Sequence, residues 1–158
     1  MNKARRILSV ATNLKPLRIL VIVILVLLVI QYEFGMAVNI ANPPSISPFS
    51  FSFPALRSAL DAVGPAALFH AGLGGLLLIL ALVNMVMALM SKVRSAQIFG
   101  VLSFLAVLLA AHGGLRFALS GFQDDHASHE MATNFLLSFA LFFIELYLRK
   151  PASKSQVN

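Results

Sequence analysis

Four histidines, His70, His112, His126 and His129, are the residues of this chain whose type suits them to hold a metal or move a proton. Their spacing from the nearest basic residues is what draws attention. His70 lies 22 residues before Lys92, His129 lies 20 before Arg149, His126 lies 23 before it, and His112 lies 18 after Arg94. On helices rising about 1.5 Å per residue these heights differ by only about 8 Å. Imidazoles from helices that are not chain neighbours, at one level, can ligate a planar cofactor metal from both faces, as axial histidines do for haem iron. His70 and His129 are the expected pair, with His112 as the alternate ligand. Arg116, just beyond His112, is placed to bind a haem propionate in bidentate fashion. The run His70-Ala71-Gly72-Leu73-Gly74-Gly75 puts three glycines where a flat group or a second helix would approach the backbone.

The elements that must position these side chains are read from composition. Of the 158 residues 59% are hydrophobic and 11% charged, and the mean hydropathy is +0.88. A water-soluble domain carries about 25% charged residues, so a soluble enzyme, a nucleic-acid module and a disordered chain are excluded. Four stretches have the length of about 20 apolar residues that a bilayer crossing needs: 17–38, 65–90, 96–112 and 131–148. The stretch from Ile19 to Ile30 is rich in β-branched residues and would be strand in water. In lipid the backbone must satisfy its own hydrogen bonds, so helix is expected. The expected fold is all-α: an integral membrane, up-down-up-down four-helix bundle forming one transmembrane domain over 1–158.

Orientation follows from the basic residues. Ten of the 12 Lys and Arg fall on one side (Lys3, Arg5, Arg6, Lys15, Arg18, Lys92, Arg94, Arg149, Lys150 and Lys154), and only Arg57 and Arg116 on the other. By the positive-inside rule both termini are expected in the cytoplasm, the protein in the plasma membrane, and the first span uncleaved. The net charge of +6 is then explained by topology and anionic lipid, with no nucleic acid required. Outer loops are expected over 39–64, rich in proline, with a short interfacial helix at 55–62, and over 113–130, opened by the breaker pair Gly113–Gly114.

Other polar residues carry competing readings. Glu33 is either a proton carrier or tuner of cofactor potential, paired with Arg116 or a histidine, or a headgroup-level residue beside Tyr32. Glu145 precedes Arg149 by four, the spacing of a helical ion pair. Asn84 with Met85, Met87 and Met90 is either a soft copper(I) patch or core filler. Asp124, Asp125, His126, His129 and Glu130 suit a zinc or copper ion at the outer surface, or simply the acidic start of a helix. With no cysteine in the chain, disulfides, Fe–S clusters and thiolate sites are excluded. There is no Gly-rich phosphate loop and no zinc-protease motif.

The pattern resembles one four-helix half of haem A synthase and related b-type haem proteins. It is also similar to a family of small four-span proteins carrying Gln and Gly in the first span, His followed by Gly in the second, and His then Asn opening the fourth. The matching residues here are Gln31 and Gly35, His70 and Gly74, and His129 and Asn134. The resemblance covers residues 25–148. It implies haem b held by histidines of the second and fourth helices and electron transfer with a quinol or a membrane redox partner. The chain departs from haem A synthase in having four spans, not eight, and no Glu preceding His70. Two other functions fit the sequence: a cofactor-free accessory subunit of a larger membrane complex, with the glycines as a packing face, or an outer-surface copper or zinc site built from His112, His126 and His129.

Overall fold

The computed structural model describes residues 3–40 and 46–148, with side chains from Lys15 onward in the first helix. It contains five helices: α1 (Lys3–Ile40), α2 (Phe53–Val63), α3 (Pro65–Met90), α4 (Arg94–Leu119) and α5 (Asp125–Leu148). No strand occurs among the described residues. Four of the helices are long and apolar enough to cross a membrane: Lys15–Ile40, Pro65–Met90, Arg94–Leu119 and Asp125–Leu148. They carry many large apolar side chains on their outward faces, among them Val26, Ile79, Leu105 and Phe143. Such a surface needs lipid, and the chain reads as a multi-pass membrane protein.

The spans pack in the cyclic order α1–α3–α4–α5, which sets α3 and α5 diagonally opposite. Their ends identify successive spans as antiparallel. His70 at the start of α3 meets Gln31 near the end of α1, and Gly113 near the end of α4 meets Met131 near the start of α5. Val21, Ile24, Leu28, Leu77, Ala81, Val107 and Phe142 form the core at mid-height. The loops that join the spans define two ends, one carrying α2 and one carrying the basic Lys92 and Arg94.

Close helix contact depends on small residues, because apolar side chains gain little from leaving lipid for one another. A methyl group on Gly100 would stand 2.6 Å from the Ala88 Cβ, and one on Gly113 would stand 2.8 Å from the Met131 backbone nitrogen. This explains a departure from expectation. The pair Gly113–Gly114 does not open a loop. It lies inside α4, where it admits the α5 backbone, and α4 runs on to Leu119. The connection to α5 shrinks to five residues, with Gly121 and Phe122 at positive φ. Asp124 Oδ1 accepts the Ala127 N–H at 3.0 Å and caps α5, which brings His126 and His129 inside the helix.

At the same end, α2 begins on Ser52, whose hydroxyl accepts the Ala55 N–H at 3.2 Å, and ends on Gly64, whose φ of 118° favours glycine. Pro65 then starts α3 at once. A short helix is therefore present where one is expected at 55–62, spanning Phe53–Val63 and capped at both ends.

Candidate functional site: a cavity beside His70 and Gln31

Gln31 and Gly35 are four apart on α1, and His70 and Gly74 are four apart on α3, so each pair shares a helix face. The two faces meet reciprocally. The His70 ring lies against Gly35, where a methyl group would stand 2.9 Å from its Cε1, and the Gln31 amide lies against Gly74, where a methyl group would stand 3.3 Å from its Nε2. Each glycine makes room for the polar side chain of the other helix.

Hydrogen bonds fix the chemistry of the pair. His70 Nδ1 lies 3.2 Å from the Gln31 carbonyl oxygen. A carbonyl only accepts, so Nδ1 carries the proton, and the second ring nitrogen, Nε2, presents its lone pair. Gln31 Nε2 donates to the His70 carbonyl at 3.1 Å and also reaches the imidazole Nε2 at 3.4 Å. The amide orientation follows, since only its NH2 can face a carbonyl. Its oxygen, Oε1, is then left buried with no hydrogen-bond partner, on a residue only 8% exposed.

This polar pair borders a cavity of about 450 Å3 in the half of the bundle nearer α2. The size is that of small-molecule sites, which run from about 300 to 1,000 Å3. Its walls are otherwise mostly apolar: Gly114 from α4, Met131 and Phe135 from α5, and Leu56 and Leu60 of α2. Phe135 stacks on Tyr32 with ring centroids 6.4 Å apart, joining α5 to α1 at this level.

His70 is the sole histidine on the cavity wall. The expected partner His129 is exposed. Ser128, Met131, Ala132, Phe135 and Leu136 of α5 line the cavity, and His129, at the height of Ser128, does not. Counting residues from the basic end fixes height along a helix but not which side chains reach the cavity. Gly74, expected to face a cofactor, faces the Gln31 amide. Asn134, paired with His129 in the resemblance, donates to the Glu130 carbonyl one turn back at 2.9 Å. Of the six residues that carried the four-span resemblance, Gln31, Gly35, His70 and Gly74 come together, while His129 and Asn134 stand apart from them.

The remaining histidines lie outside the cavity. His126 is exposed, and the half-exposed His112 has its Nδ1 3.6 Å from a Glu130 carboxylate oxygen. Arg116 donates to Glu130 at 3.0 Å and to Asp124 at 3.1 Å, tying the end of α4 to the start of α5. The Ala127 N–H at the helix start, and then the Arg116 guanidinium, hold the Asp124 carboxyl below the usual aspartate range. Asp124 and Glu130 of the expected outer-surface cluster are thus engaged by Arg116, while Asp125 is exposed. Among the described residues no group of three or more His, Cys, Asp or Glu is placed to hold a metal ion. Glu33 is exposed and makes no ion pair among the described residues.

A second polar contact lies toward the basic end. Asn84 Nδ2 reaches both oxygens of the Glu145 carboxylate, at 3.2 and 3.1 Å, and the two residues are 0% and 1% exposed. Arg149, the ion-pair partner expected for Glu145, lies outside the described residues. Asn84 is thus not a member of a methionine patch. It faces α5, while Met90 points outward at 80% exposure. Gly100 of α4 packs beside this contact, where a methyl group would stand 3.6 Å from Glu145 Oε1.

Comparison with protein-family models, with curated proteins and with solved structures gives no match to this chain.

Proposed function

We propose that this protein is a membrane-embedded binding protein whose cavity near α2 holds a membrane-soluble small molecule, anchored at His70 and Gln31. The observation that carries this reading is the pairing of a 450 Å3 apolar cavity with a wall where a buried amide oxygen lacks a partner. Four-helix bundles commonly place ligand sites in their cores, and a few convergent polar groups in an apolar pocket are the usual signature of one. The positive-inside rule, applied to the basic residues near the opposite end, supports a cytoplasmic position for that end and an outer-leaflet position for the cavity in a plasma membrane.

A b-type haem used for electron transfer with a quinol or a partner protein is the second reading, favoured by one observation. The His70 tautomer, with Nδ1–H on a backbone carbonyl and a lone pair at Nε2, is that of a metal-ligating histidine. The fit stops at one face. No second histidine borders the cavity, and Arg116 is engaged by Glu130 and Asp124 instead of facing a propionate. The chain therefore provides one of the two axial imidazoles that a bis-histidine haem requires, and the small-molecule reading is preferred.

Two measurements separate these readings. Protein extracted from its native membrane, washed and denatured in organic solvent, should release one membrane-soluble compound at near-equal stoichiometry. Ala111→Phe, which places a ring on the cavity wall, should release little. Equal release from both proteins would remove the binding reading. A reduced-minus-oxidised absorption spectrum of the same material reads haem directly, and bands abolished by His70→Ala would restore the cytochrome reading.

A further inference from the structure

The cavity is bounded at both ends along the bundle axis and open at its side. Toward mid-height it stops on Leu28, Leu77 and Val107, which belong to the core. At the other end Leu56 and Leu60 of α2 and Phe122 of the α4–α5 turn line it. The segment 46–52 that leads into α2 is tied to the end of α4 and this turn. The Phe49 N–H donates to the Leu119 carbonyl at 3.1 Å, Gln123 Nε2 donates to the Ile46 carbonyl at 3.2 Å, and a methyl group on Gly121 would collide with that same carbonyl. The flank between α1 and α5 is less closed. These two are the most sparsely packed of the neighbouring spans, and they meet through the Tyr32–Phe135 stack. Between that stack and α2, Met36 and Asn39 of α1 and Ala132 of α5 line the cavity and are exposed. At the level of the stack, Tyr32 and Leu136 line it while 51% and 65% exposed. Residues that border both the cavity and the outward face mark where the one runs into the other, so this seam is a window onto lipid. Ala71, Gly75 and Leu115 are also exposed where they line the cavity, but on seams that are packed more closely.

The lining carries no fixed charge. Among the described residues it includes no Lys, Arg, Asp or Glu, and its polar members are Gln31, Tyr32, Asn39, His70, Ser128 and Ser138. Together these offer both donors and acceptors to a polar group. A charged head would leave its hydration behind and find no opposite charge to replace it, at a heavy cost in so apolar a site. We infer that the ligand is an uncharged lipid that enters sideways from the bilayer through the α1–α5 seam, with its polar head among these residues and its apolar tail left in the seam. The inference rests on the small-molecule reading above and adds the ligand's class and its route.

The chain contains no tryptophan, so a single one can be introduced as a reporter. Full-length Met36→Trp, at the window, and Leu137→Trp, exposed on α5 but off the cavity, are placed in phospholipid nanodiscs. A long-chain monoacylglycerol brominated on its tail is then titrated as a fluorescence quencher. Quenching of Met36→Trp should saturate at a low mole fraction of the probe, whereas quenching of Leu137→Trp should rise in proportion to it. Unbrominated monoacylglycerol should reverse the quenching at Met36→Trp about tenfold or more effectively than an alkyl sulfate or an alkyltrimethylammonium of the same chain length. A short-chain monoacylglycerol should also compete poorly. Ala132→Trp reports from the other side of the window and replaces Met36→Trp if that variant does not fold. Proportional quenching at the window overturns the route. Equal competition by the charged amphiphiles overturns the uncharged head, and equal competition by the short-chain probe overturns the tail. If any of these occurs while native-membrane extracts of wild type and Ala111→Phe still differ, the cavity reading stands without the inference. If the extracts match, the cavity reading falls with it.

Discussion

Gly35→Ala tests the geometry of the His70–Gln31 lock with the smallest possible change. The added methyl group would stand 2.9 Å from His70 Cε1 and 3.4 Å from Nδ1. Carbon atoms settle at about 3.5–4.0 Å, so the ring must retreat by about 0.6 Å or more. Added to the present 3.2 Å between Nδ1 and the Gln31 oxygen, that displacement carries the bond beyond hydrogen-bonding reach. Losing the bond costs about 1 kcal/mol, and leaving a half-buried N–H unpaired adds about 1–2 kcal/mol. Alanine returns about 0.5–1 kcal/mol through its better helix propensity. The net expectation is a loss of about 1–2 kcal/mol, read from the midpoint of unfolding in mixed micelles. Gly72→Ala is the control, because nothing lies within 4 Å of its added methyl group, and it should be neutral or slightly stabilising. NMR of 15N-labelled histidine supplies a second readout, in which the wild type shows the Nδ1–H tautomer of His70 and Gly35→Ala shows a mixture. If Gly35→Ala unfolds with the wild type and keeps its tautomer, the reciprocal packing described for these two helices is wrong.

Other perturbations reach the rest of the bundle. Gly113→Ala drives a methyl group against the α5 backbone, which cannot move as a side chain end can, and should cost about 1–3 kcal/mol in the same unfolding assay. Asn84→Leu removes the amide that bonds both oxygens of the buried Glu145 carboxyl group; a loss of about 1–3 kcal/mol is expected from breaking buried polar bonds. Asp124 is held below the usual aspartate range by the α5 N-terminus and Arg116. A depressed folded value means that its contribution to stability is present above the ordinary aspartate pKa and disappears as pH falls through the folded one. Asp124→Asn should therefore melt below the wild type at neutral pH, and the gap should close on acidification below about pH 4.

The span boundaries illustrate what a sequence of this kind discloses. Hydropathy alone located 65–90, because proline at one end and a polar turn at the other bound an uninterrupted apolar run, and α3 covers the same residues. It ends α4 too early, because Gly113 and Gly114 read as breakers, whereas α4 runs on to Leu119. A glycine pair has the same composition whether it ends a helix or admits a neighbour, and only the position of the α5 backbone distinguishes the two. The histidines show the same division. His70 with Gly74, and Gln31 with Gly35, are legible as pairs at helical spacing, and the four form one contact. His129 has a suitable height, yet height alone does not bring a side chain to the cavity, and four apolar spans with weak amphipathicity do not announce which side chains turn inward. The orphaned Gln31 oxygen was not legible at all, since it arises from how two helices spend their donors on one another.

The account depends on the cavity beside His70 being filled in the membrane. An experimental density map of the full-length protein, purified in native lipid without delipidation, measures this directly. The expected result is continuous non-protein density between α1, α3 and α5, ending within hydrogen-bonding distance of Gln31 Oε1, with the His70 ring still against Gly35. A bundle closed over that space by its own side chains, or a His70 ring turned outward to lipid, would contradict it.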